Sequence, residues 1–220
     1  MAPSESEINA LLSGDSFSVD VIPKFEEYVT AQVSGQIAYH SDSVRRLIKL
    51  YQLYPTTSNP EKVAQGCLLA LLKYPEHTDF LALKYIIPTN IMNQEPCALI
   101  KTCFDQLESC QFSQFWESYE QIKSSSLGGY LSDTTAKTIQ GAILQVLSLT
   151  YKEAPSSVIL PALKLSSMDA VKALNHGSVE SVSNDKVIFV PTGDNTKRQR
   201  LYQESLNFES ISALMSKIAQ

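Results

Sequence analysis

The sequence predicts a mainly α protein in three parts: a stack of short amphipathic helices, a winged-helix unit, and one final helix. Three observations carry this reading. Before residue 124, one apolar helical period follows another, most of them closed by a proline or glycine. From Val158 to Val190 the order is an apolar segment, a Ser-capped helix, a glycine and two β-rich runs. At 208–218 an apolar stripe stands apart, beyond a polar stretch.

In chain order, Ile8, Leu11 and Leu12 mark a short helix that stops near Gly14. Ile22, Phe25, Val29 and Val33 recur at helical spacing, with Pro23 in the first turn, where a missing N–H matters least. Val44, Leu47, Ile48 and Tyr51 repeat the pattern up to Pro55. Asn59 is placed to cap a helix with Pro60 at its first position. That helix carries Val63, Cys67, Ala70, Leu71 and Tyr74 as far as Pro75. Leu68, Leu69 and Leu72 widen its apolar face, so it is expected at the centre of the stack. Phe80, Leu83 and Ile87 line the next helix, opened by Thr78 and Asp79. After Pro96, one face carries Leu99, Ile100, Cys103, Leu107 and Cys110. Phe112, Phe115, Trp116 and Tyr119 fall at i, i+3, i+4 and i+7, a stripe expected in the core. Helices joined by such short breaks pack as antiparallel neighbours, in the manner of a HEAT-like or tetratricopeptide-like stack.

The run Ser124-Ser125-Ser126-Leu127-Gly128-Gly129 is the clearest break, and the domain boundary is expected beside it. This gives a helical-repeat domain at 1–126, a winged-helix domain at 127–206 and a C-terminal helix at 207–220. A helix from Thr134 to Tyr151 turns Ile139, Ile143, Val146, Leu147 and Thr150 inward. In the winged unit, Ser166 and Asp169 form a capping pattern, and Gly177 stands where a helix end needs positive φ. Asn184-Asp185 separates Val179–Ser183 from Lys186–Val190 as a tight hairpin, and Val158–Leu160 is a further candidate strand. Asn207 caps the last helix.

Composition bounds the chemistry. The chain has 220 residues, 44% hydrophobic and 19% charged, which excludes a disordered protein. A net charge of −5 lacks the Lys/Arg excess of a protein that mainly grips phosphate backbones. The four cysteines form no C-x-x-C pair and read as small buried hydrophobes. The acidic start of the chain lacks the features of a secretory signal, so a cytoplasmic setting is expected. His77 lies beside Asp79, but no third ligand has telling spacing, so a helix-start role is expected, with no metal and no cofactor. His176, at a helix end, is accounted for by the helix dipole. Nucleophile-elbow, P-loop, dinucleotide-binding and zinc-protease motifs are all missing, so no catalytic residue is assigned.

Two surfaces are candidates for contacts. Phe208, Ile211, Leu214, Met215 and Ile218 recur at spacings of three and four, opposite Glu209, Ser212, Ser216 and Lys217. So short a helix is marginal in water, so the stripe is expected either in the protein's own core or against a partner. Lys197, Arg198 and Arg200 form the only basic cluster of the polar stretch, a candidate contact for nucleic acid. The exposed face of the second winged helix offers Lys172 between acids, a poor surface for phosphate.

A helical stack leading into a winged helix resembles PCI domains. The resemblance is closer at Lys49-Leu50-Tyr51-Gln52 with Pro55, at His77-Thr78-Asp79-Phe80, and at Leu107-Glu108-Ser109-Cys110 with Phe112, Phe115 and Trp116. Thr150-Tyr151 and Asn207-Phe208-Glu209-Ser210-Ile211 with Met215 add to it. These pieces keep their order and are similar to the k-subunit family of eukaryotic translation initiation factor three. The resemblance implies a non-catalytic scaffold subunit that docks on sister PCI subunits, chiefly the l subunit, at the small ribosomal subunit. It implies no membrane and no small-molecule ligand. The alternative is a winged-helix nucleic-acid binder acting alone.

Overall fold

A computed structural model describes residues 3–14, 17–197 and 208–218. The helices of the stack are α1 (Glu5–Ser13), α2 (Ile22–Val33), α3 (Ser41–Leu53), α4 (Pro60–Leu71), α5 (Thr78–Ile86), α6 (Thr89–Met92), α7 (Cys97–Glu108) and α8 (Phe112–Ser124). Then come α9 (Asp133–Thr150), β1 (Glu153–Pro155), α10 (Ser156–Leu163), α11 (Met168–Leu174), β2 (Val179–Val182), β3 (Lys186–Phe189) and α12 (Phe208–Ile218). The expected mainly α class holds.

Local chemistry starts these helices where the sequence places it. Asn59 accepts from the Glu61 N–H, with Pro60 at the first position of α4. Ser132 and Thr135 form a reciprocal capping box at the start of α9. The His40 ring nitrogen Nδ1 accepts from the Ser43 N–H at the start of α3. Helix α4 is central, packed against α2, α3, α5 and α7, with Val63 to Leu71 all buried. Gly66 allows its close approach to α3: a Cβ there would sit 2.6 Å from Val44 Cγ1.

The aromatic stripe of α8 joins the stack to α10. Phe112, Phe115, Trp116 and Tyr119 are all buried. Trp116 meets Phe115 and Tyr119 edge-on, at centroid separations of 5.1 and 5.4 Å. Its Nε1–H donates to the Ala162 carbonyl at 2.8 Å, and Gln140 Nε2 donates to the Leu163 carbonyl at 2.8 Å. Both carbonyls belong to the last turn of α10, beyond the Leu160 and Pro161 carbonyls that the Lys164 and Leu165 N–H groups satisfy. Glu120 and Lys164 bridge α8 and the end of α10 at 2.6 Å. Around the serine–glycine break the chain stays packed: Leu127 is buried, and Gln65 Nε2 donates to the Tyr130 hydroxyl at 3.3 Å.

Beyond α9, β1 and β2 flank β3 in an antiparallel three-stranded sheet of order β1-β3-β2. Several expectations shift here. The third strand is Glu153–Pro155, not Val158–Leu160, which lies inside α10. A short apolar run has no period of its own to separate strand from buried helix, and β1 already occupies that edge of β3. The cap of α11 is Ser167, accepting from the Ala170 N–H, one residue later than expected. The positive φ after α11 falls on Asn175, not Gly177, since an Asn side chain tolerates the left-handed region. Earlier in the chain, α4 ends at Leu71, not at Pro75, and α6 is an additional short helix after Pro88. Cys110 is exposed, not buried with Cys103, because α7 stops at Glu108 and Cys110 itself takes φ 58°. Asn207 lies outside the described residues.

Candidate protein-partner interface

Helix α12 has 11 residues, an acid in its first turn (Glu209) and a base in its last (Lys217), the order the helix dipole favours. Phe208, Ile211, Leu214, Met215 and Ile218 lie along it at the expected spacing, and all five are exposed. Phe208 keeps 83% and Ile218 73% of their accessible surface, and even Ile211 keeps 48%. The stripe is therefore not spent on the protein's own core in this structure. A helix this short with so exposed an apolar face is marginal in water by itself.

Of the basic cluster, Lys197 is exposed, while Arg198 and Arg200 lie outside the described residues. On α11, Lys172 Nζ lies 3.5 Å from Asp169 Oδ1, so the helix's one cation already faces a carboxylate. His176 Nδ1 is 2.7 Å from the Ser178 hydroxyl, inside the turn that leads to β2.

The histidine, aspartate and cysteine candidates elsewhere have structural surroundings of their own. His77 precedes α5 but makes no side-chain cap; its Nδ1 lies 3.1 Å from the Pro75 carbonyl. Asp79 holds the Arg45 guanidinium across α5 and α3. Cys67, Cys97 and Cys103 are buried. Burial pushes the Cys97 thiol up to about 11 and the Cys103 thiol up to about 12, and raises Cys67 as well. Thiols so raised carry almost no thiolate at neutral pH and are poor nucleophiles. Among the described residues, no group of three His, Cys, Asp or Glu side chains is placed to hold a metal. Among the same residues, no helix is long and apolar enough to cross a membrane.

Sequence reasoning misses a second apolar surface. Cys110, Phe112, Val146, Tyr151, Val158 and Ala162 line a groove of about 360 Å³ where the start of α8, the end of α9 and α10 converge. Tyr151 and Val158 on its rim are 48% and 44% exposed. The signal for it is faint: Tyr151 sits just past the end of α9, and Val158 reads as a strand residue. A larger cleft of about 620 Å³ separates α9 from α11, lined by Leu165, Ala170 and Leu174 but also by Lys137, Gln145 and His176.

No family model matches the chain. Along nearly its whole length, however, it is similar to proteins named eukaryotic translation initiation factor 3 subunit K. The Dictyostelium discoideum protein is 27% identical over 211 residues, which cover 94% of this chain and 81% of that protein. The Danio rerio protein is 26% identical over 216 residues, covering 96% and 94%. The Homo sapiens protein is 24% identical over 214 residues, covering 96% and 95%. The resemblance read from scattered motifs thus extends from end to end.

Proposed function

We propose that this chain is a non-catalytic structural subunit of eukaryotic translation initiation factor 3, acting through protein–protein contacts in the initiation of protein synthesis. The observation that carries the reading is the exposed stripe of α12 on a chain similar throughout to subunit K. Its partners are other subunits of the factor, chiefly subunit l, and through the complex the small ribosomal subunit. It works in the cytoplasm, without a small-molecule ligand. In this reading 1–126 is a HEAT-like stack, 127–206 a PCI-like winged helix and 207–220 the docking helix.

The mode of contact is helix against helix. Helix α12 is about 16 Å long, and its anchors repeat at i, i+3 and i+7 from Phe208 through Ile211 to Met215. Covering each large apolar side chain contributes roughly 1.5–3 kcal/mol before ordering costs. Five such anchors are enough to hold a short helix in a bundle.

Affinity purification of the tagged chain from nuclease-treated cell extract tests this. Recovery of initiation-factor subunits after nuclease supports the scaffold. Recovery of nucleic acid alone, lost on nuclease treatment, would favour the stand-alone winged-helix binder, against which the −5 charge and the Asp169–Lys172 pair already weigh.

A further inference from the structure

We propose that the cleft between α9 and α11 is a docking site for an acidic, amphipathic segment of a partner protein. It rests on the scaffold reading above and gives the subunit a second contact, separate from α12.

The two walls of the cleft differ in character. Lys137, Gly141 and Gln145 follow at i, i+4 and i+8 on α9, so they form one row with steps of about 6 Å along the helix. His176 enters this row through Gly141. Its ring lies against the α9 backbone, where a Cβ on residue 141 would stand 3.2 Å from His176 Cδ2 and 3.5 Å from Nε2. The Ser178 N–H donates to His176 Nδ1 at 3.4 Å, so the neutral ring carries its hydrogen on Nε2. That Nε2–H has no hydrogen-bond partner among the described residues. Lys137 is exposed and forms no hydrogen bond or ion pair among the same residues. Gln145, also exposed, completes the row. The facing wall is apolar, made by Ala170, Ala173 and Leu174 of α11 together with Leu165.

This chemistry selects the occupant. No Asp or Glu lines the cleft, although the chain holds 23 acids and a net charge of −5. Asp169, the acid on α11, faces Lys172 instead. An unpaired ammonium and an unpaired N–H one turn apart are complementary to a carboxylate, and the opposite wall is complementary to apolar side chains. A phosphate backbone would leave the apolar wall uncovered and would meet a single lysine, where such contacts take several cations. The cleft's volume of about 620 Å³ is in the range of ligand-holding clefts and admits a few side chains, not a whole helix. The fit is to one face of an amphipathic helix that carries Asp or Glu beside its apolar anchors. Filling the cleft would also brace α11, of whose residues Met168 and Val171 alone are buried.

Photo-crosslinking in the assembled complex tests this. Thr138 lines the cleft and is exposed, so p-benzoylphenylalanine in its place reports on whatever fills the cleft. The tagged full chain carrying it is irradiated with its partners in cell extract, and the adduct is mapped by mass spectrometry. The expected adduct joins one segment of an initiation-factor subunit, net negative, with apolar residues at spacings of three and four. A synthetic peptide of that segment should bind the purified chain and weaken as salt rises. It should bind Lys137→Glu roughly tenfold more weakly than wild type, with Lys137→Arg close to wild type. Lys137 is exposed, so both variants should keep the wild-type circular dichroism spectrum. An adduct with a neutral or basic segment, an adduct with nucleic acid, or equal affinity of the Glu and Arg variants would overturn the proposal. So would the lack of an adduct at Thr138 while the same crosslinker at Ile211 yields one, a result that leaves the α12 contact standing. Loss of subunit co-purification in wild type would instead remove the function on which the proposal rests, and the proposal with it.

Discussion

Trp116→Phe isolates one hydrogen bond at the joint between the stack and α10. The indole is 4% exposed, and its N–H is the partner of the Ala162 carbonyl in the last turn of α10. Phenylalanine keeps most of the ring contacts with Phe115 and Tyr119 but leaves that carbonyl without a donor. An orphaned buried acceptor costs about 1–3 kcal/mol, and the smaller ring adds to this. Trp116→Ala removes the ring as well and should cost about 3–5 kcal/mol. Gln140→Ala removes the neighbouring cap on Leu163, so the double variant should be less than additive, since both caps hold one helix end. Equilibrium urea unfolding followed by far-UV circular dichroism measures all of these, because the chain's single tryptophan is itself the residue changed. A Trp116→Phe loss below about 0.5 kcal/mol, the level of an ordinary surface substitution, would refute the reasoning that this bond closes the end of α10.

Three further outcomes are expected. Gly66→Ala should destabilise by about 1–3 kcal/mol, because its Cβ would meet Val44 Cγ1 at 2.6 Å, and Val44→Ala added to it should recover part of the loss in the same unfolding assay. The raised thiols of Cys97 and Cys103 make the folded chain hold protons that the unfolded chain releases from about pH 9, so stability is full below pH 9 and should fall as pH rises toward about 12; thermal melts across that range read it, and thiol titration of native protein should find Cys110 reactive and the other three protected. Isolated protein should bind duplex DNA weakly and lose that binding as salt rises, and replacing Lys197, Arg198 and Arg200 by Ala should remove what remains; tight, sequence-selective binding at physiological salt would contradict this.

The fold is legible in the sequence where its signals are redundant. Helix α4 announces itself three times over, by Asn59, by Pro60 and by an apolar face reaching around Cys67 and Leu68, and it is the centre of the stack. The α8 stripe is equally plain, and Trp116 is buried as its spacing requires. The misses fall where one residue decides between equivalents. Ser166 and Ser167 are chemically alike, and only the backbone around them chooses the cap. Asn175 rather than Gly177 takes the left-handed turn, because α11 ends after Leu174. Val158 and Ile159 suit strand or helix, and pairing of Glu153–Pro155 with the distant β3 settles it. For the interface, the spacing of Phe208, Ile211, Met215 and Ile218 is visible at once. That the stripe is uncovered depends on contacts the other described residues do not make, and no local pattern encodes those.

The docking role of α12 is tested most directly by the double variant Ile211→Asp with Met215→Asp, made in the full chain and assayed for co-purification with initiation-factor subunits. Both side chains are about half exposed or more, so circular dichroism and the thermal midpoint should match wild type. Two central anchors at about 2 kcal/mol each should lower affinity for the complex by roughly a thousandfold, enough to lose the subunit on washing. A variant that is folded and still fully incorporated would contradict this role and move the interface to the helical stack.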